Sequence, residues 1–93
     1  MTVSIEAKHH FVYDGAVVNI YHANTGEGLP KHSHAYAHAT ICMNGKCIIR
    51  KADKEFIIDK DSQPLNLLAG SWHEIEALED GTVFVNLYSE SKM

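Results

Sequence analysis

Short runs of β-branched and aromatic residues, each cut off by a turn signal, constrain this chain more than any other feature. The runs FVYDG, AVVNIYHA, EFIID and TVFVNLYS read as strands, and TGEGLP between the second run and the histidines reads as a loop with a turn at each end. HAYAHATICM could open as a strand or as a helix. The Asn44-Gly45 pair that follows it decides for a strand, because two such residues between HATICM and KCIIRK predict a type I′ hairpin. ADK is then a turn, KDSQP a break, and LNLLAG a strand ending at Gly70. SWHEIEAL alternates in the manner of a strand, EDG is a tight turn, and the tail ESKM is expected to fray. No segment has the period of a long amphipathic helix. Seven or eight short strands with frequent turns favour an antiparallel sandwich or a small barrel.

Size and charge narrow the function. The 93 residues suit one domain, residues 1–93, with one modest core. Eight basic against twelve acidic residues leave a formal net charge of -4, which argues against a broad nucleic-acid-binding face. No apolar run approaches the roughly 20 residues of a membrane-spanning helix. MTVSIEAKHH lacks the basic and apolar regions of a signal peptide, so a cytoplasmic setting is expected.

Three histidines, His32, His34 and His38, are crowded into one short stretch. On an extended strand, residues two apart share a face, so all three can point the same way. Thr40 and Cys42 continue that phase. His73 lies on a later strand that an antiparallel arrangement can bring opposite. Neutral imidazole suits Zn, Ni, Fe and Cu ions, whereas a carboxylate-poor set argues against Mg and Ca. The plainer reading of any single histidine is a surface residue or a satisfied polar group. Spacing alone does not join His73 to the others.

These residues carry a resemblance. The chain resembles a small single-domain cupin over roughly residues 17–88. The first cupin motif has a glycine, five residues, His-x-His, three or four residues, a glutamate, six residues and a glycine. Gly26, His32, His34 and Gly45 stand at those places, and His38 occupies the glutamate position. In the second motif only Gly70 and His73 match. Leu68, Ala77 and Ser62 replace its proline, asparagine and leading glycine. The resemblance implies an all-β, small antiparallel jelly-roll β-barrel. It also implies one divalent transition metal ion (Zn, Ni, Fe, Mn or Cu) held by four histidines, His32, His34, His38 and His73. Without a carboxylate the ion's charge is uncompensated, which lowers the pKa of bound water and favours anionic ligands. The alternative for His38 is that it turns away from the metal.

Parity supplies a predicted substrate pocket of Tyr36, Thr40, Ile75 and Asn86. Phe84, Asn86 and Tyr88 form one face of the last strand, Val83, Val85 and Leu87 the other. His22 could face inward. Glu74 and Glu76 are out of phase with His73 and are expected in solvent, so no general base or other catalytic residue stands out. His9 and His10 read as a polar strand or surface pair, and Trp72 as packing or an interface residue. Cys42 and Cys47 would be the next cross-strand pair beyond the hairpin turn, about 4.5 Å apart. They are expected to be reduced, inward-packed thiols.

The resemblance implies a metal-binding cupin of dioxygenase, isomerase or lyase type, acting on a small organic molecule or anion. The competing expectation is a non-enzymatic small-ligand or metal-binding module. A chain this short, with strand edges to cover, is also expected to form a homodimer.

Overall fold

The computed structural model describes residues 2–92. Ten strands follow in order: β1 (Val3–Ser4), β2 (His9–Tyr13), β3 (Ala16–Ala23), β4 (Glu27–His32), β5 (His38–Asn44), β6 (Lys46–Lys51), β7 (Glu55–Asp59), β8 (Leu65–Leu67), β9 (His73–Ala77) and β10 (Thr82–Ser89). A short 3-10 turn, Glu90–Lys92, occupies most of the tail expected to fray, and Met93 lies outside the described residues.

The strands form two five-stranded sheets, β1-β4-β9-β6-β7 and β2-β3-β10-β5-β8. This corrects the expected β-barrel: neither sheet closes on itself or on the other among the described residues. The terminal strands explain the openness. β1 has two residues and β8 three, too few to carry a hydrogen-bonded ladder around a corner. The β1–β4 pair is also parallel, unlike every other pair.

Two loop assignments change. TGEGLP is a turn only at Thr25–Gly26, and the remainder enters β4. Pro30 is tolerated there because it falls where the β4–β9 register shifts, between Leu29 and His32. Asn44-Gly45 makes no hairpin. β5 pairs with β10 and β8, while β6 pairs with β7 and β9, so Gly45 is the corner at which the chain leaves one sheet for the other. Its φ of 72° is left-handed, and a Cβ there would lie 2.4 Å from Thr82 Oγ1. Only glycine meets both conditions. Cys42 and Cys47 are therefore not a cross-strand pair. Both are free and buried in the core. Burial pushes both thiols above the ordinary cysteine range.

Alternation places the core between the sheets. Ile75 and Ala77 of β9 point inward with Cys47 and Ile49 of β6, against Cys42 of β5 and Phe84 of β10. Glu74 and Glu76 point out, as their phase implies, but they are half-buried in an ion-pair network and not free in solvent. There Arg50 Nη1 lies 3.2 Å from Glu74 and 2.8 Å from Glu76, and the Thr2 hydroxyl donates to both carboxylates. Hydrogen bonding from Arg50 holds Glu76 below the usual carboxylate range. The same alternation leaves a different set at the other end of the sandwich. β9 begins with His73, β5 begins with His38, β4 ends at His32, and β10 turns Asn86 inward.

Candidate metal centre

Four imidazoles meet at that end. β4 and β9 set His32 directly opposite His73, and their rings lie 4.5 Å apart. His34 sits in the loop after β4, not on a strand. That loop is pinned by the Gly70 N–H donating to the His34 carbonyl at 2.8 Å. The His34 ring lies 5.3 Å from that of His32 and 5.0 Å from that of His73. One nitrogen from each of His32, His34 and His73 lies within 4.8 Å of the others.

His38 stands outside this group of three, so the expected four-histidine set is corrected to three. The reason is its position. His38 opens β5 in the opposite sheet; its ring lies 4.9 Å from that of His34 and its Nε2 3.3 Å from His73 Nε2, but it is not among the three residues whose ligand atoms all lie within 4.8 Å of one another.

The hydrogen bonds choose the tautomers. His32 Nδ1–H donates to the Pro30 carbonyl (2.7 Å), His34 Nδ1–H to the Tyr36 carbonyl (2.8 Å), and His73 Nδ1–H to the Ser71 carbonyl (3.2 Å). Each ring thus spends its proton on a carbonyl two residues away and keeps the Nε2 lone pair free. Thr40 donates to Asn86 Oδ1 at 2.7 Å, which leaves its oxygen to accept from His38 Nδ1–H at 3.3 Å. The Nε2 lone pairs of His38 and His73 then face each other, an arrangement that a nearby cation relieves. Burial first, then the His73 and His34 imidazoles, pushes His38 down to about 4. Burial first, then His32 and His34, does the same to His73, also to about 4. Neutral, ε-directed, converging imidazoles are the donor set of a divalent transition metal. The three-histidine cluster can coordinate one such ion.

A cavity of about 370 Å³ opens beside the cluster, lined by His32, His34 and His38. Of the predicted pocket residues, Tyr36 and Asn86 line it. Tyr36 stacks on His34 with centroids 4.3 Å apart and 7° between planes, and it touches Tyr88 at 4.3 Å. Thr40 is buried behind the wall as the link from His38 to Asn86, and Ile75 belongs to the hydrophobic core. His22, which could have faced inward, is exposed, and His9 packs edge-on against it at 6.1 Å. Trp72 is half-buried beneath the Lys31 ammonium, 4.3 Å from its ring centroid. Sequence reasoning missed Asn19 and Tyr21, which also line the cavity. Their signal was the period-2 alternation in AVVNIYHA.

No family model matches the sequence, and no curated protein does. Solved structures do resemble it. One is a protein from Neisseria meningitidis, with a TM-score of 0.73, 13% identity, and coverage of 87% of this chain and 80% of that one. A cupin-2 domain protein from Shewanella frigidimarina gives 0.70, 15%, 91% and 83% for the same measures. KdgF from a Halomonas species gives 0.66, 15%, 86% and 84%. The chain has a cupin fold. Across cupin folds at this level of identity the likeness is one of architecture, so the chemistry rests on the residues of this cavity.

Proposed function

We propose that this protein is a metal-dependent enzyme acting on a small oxygen-bearing organic molecule, of dioxygenase, isomerase or lyase type. One observation carries the reading. Three histidines with their Nδ1 protons tied to backbone carbonyls keep their Nε2 lone pairs, and one nitrogen from each lies within 4.8 Å of the others beside a cavity sized for a small ligand. Once bound, a divalent transition ion supplies a Lewis acid that polarises a substrate oxygen.

The chain's own residues do the remaining work. Three protein ligands would leave the ion able to take a substrate oxygen as well. Tyr36, flat against His34, fixes the plane of that imidazole and forms one wall. Burial, with the neighbouring Tyr88 phenol adding to it, raises the Tyr36 phenol above its ordinary value, so it is a hydrogen-bond donor at neutral pH. His38 closes the inner end as a neutral imidazole.

The test is metal analysis followed by turnover. Purified protein should carry about one transition metal ion per chain. Loss of that metal should abolish conversion of small oxo compounds, and reloading should restore it. A protein that retains metal but turns nothing over would instead be a ligand-binding module, the second reading that the open cavity allows.

A further inference from the structure

The cavity wall has a sign. Besides histidines, its polar side chains are Ser4, Asn19, Lys31, Asn86 and the three tyrosines Tyr21, Tyr36 and Tyr88 among the described residues. None of the chain's twelve acidic residues lines it. In a chain of net charge -4, this is a carboxylate-free wall inside an acidic molecule.

Asn19 and Asn86 give that wall its geometry. They are directly paired across β3 and β10, on the inward face of the sheet. Directly opposed residues of an antiparallel pair carry their Cβ atoms about 4.5–5.5 Å apart, so the two amides stand side by side. Each has its carbonyl oxygen already occupied. His10 Nδ1–H, from the neighbouring β2, donates to Asn19 Oδ1, and the Thr40 hydroxyl donates to Asn86 Oδ1. With Oδ1 taken, each amide keeps its NH2 group for another acceptor. Two adjacent NH2 groups with no acceptor between them suit oxygens that need only donors. A carboxylate is such a group, since both of its oxygens only accept. Lys31 also lines the cavity, with its ammonium resting over Trp72 outside it.

We infer that the cavity takes a small organic anion, a short-chain carboxylate whose oxygens are gripped by the paired side-chain amides of Asn19 and Asn86. The inference deepens the proposed function, because the other end of the anion then meets the histidine cluster. His10 is a positioning residue: it touches no ligand and fixes the direction of the Asn19 amide. Thr40 does the same for Asn86.

Calorimetric titration with malonate and with its neutral diamide, malonamide, tests this on metal-loaded and metal-stripped protein. Malonate should bind at least about tenfold more tightly than malonamide in both forms. Asn19→Asp keeps the size but sets a carboxylate against the anion, and should weaken malonate by at least about tenfold. Asn86→Asp should do the same. Since Asn86 is buried and its change could disturb folding, the more accessible Asn19 carries the decision, with circular dichroism confirming the fold. His10→Phe should weaken malonate by a smaller factor, and His10→Gln, which restores a donor, should recover it. Equal binding of the two probes would overturn the inference, as would wild-type malonate affinity in folded Asn19→Asp, or no malonate binding at all. Metal content, measured on the same samples, separates the two readings. Asn19-dependent malonate binding by a chain that takes up no metal would sink the metal reading and leave this one standing. Malonate binding that needs the metal and ignores Asn19 would do the reverse.

Discussion

Each ligand imidazole here is held by its own neighbourhood in sequence, through a carbonyl two residues before or after it. The trio should therefore behave as a preformed site in which loss of one member is costly. His34→Ala should reduce metal retention by about tenfold or more, whereas His38→Ala should reduce it less, as measured by metal content after dialysis against a weak chelator. Equal losses would place His38 on a par with the other three. Acid provides a second test. His38 and His73 stay neutral in the folded chain down to about pH 4, but in the unfolded chain they protonate near 6.5. Below pH 6.5 the unfolded state therefore takes up protons that the folded state refuses, and stability falls as the pH drops toward 4. The urea midpoint of metal-free protein should decline through that interval. A flat midpoint from neutral pH to about 4 would contradict the two depressed values. The spacing of His32 and His34, with the Gly70–His73 fragment, made the trio legible in the sequence. The exclusion of His38 was not legible, because strand parity gives the direction of a side chain and not which sheet it approaches from.

At the level of elements, two glycines hold the site in shape. Gly45 makes the corner between sheets, and Gly28 lets β4 lie close to β9, where an added Cβ would fall 2.0 Å from the Ile75 carbonyl oxygen. Gly45→Ala combines a left-handed backbone with a collision against Thr82 and should cost on the order of 2–4 kcal/mol, read from chemical denaturation. Gly28→Ala should push β4 off β9 and separate His32 from His73. It should thus lower metal affinity as well as stability, whereas Gly45→Ala, at the far end of the sandwich, should lower stability alone. Both elements were misread from sequence for physical reasons. Glycine and proline in GEGLP carry the composition of a loop, yet β9 offers β4 a partner that outweighs local preference. Asn-Gly supplies the left-handed conformation that a hairpin needs, but a corner between sheets needs it just as much. The strands of alternating pattern, HEIEA and TVFVNLYS, were read correctly because burial on one face leaves only one workable register.

Across the whole molecule, the open sandwich leaves edges that a closed barrel would not have. β2 is an edge strand, and Phe11, Val12 and Tyr13 on it are all exposed, Tyr13 at 75%. We propose that a second copy covers this edge. Sedimentation at micromolar concentration should give a dimer, and Tyr13→Lys with Phe11→Glu should give a monomer. A wild-type monomer throughout would defeat the proposal. The pairing also has a consequence in time. Ala16 pairs with Ser89, Gly28 with Glu76, and thirty-five residues separate His38 from His73. A chain leaving the ribosome thus has His32 and His34 long before it has their partner, and the centre exists only after β4 and β9 have met. Metal arriving early would find two loose imidazoles and no cage. Folding should therefore proceed at the same rate with or without metal, while unfolding slows when metal is present, as stopped-flow measurements in each condition would show. An ion bound at this site would be a latecomer, locking a finished structure rather than seeding it.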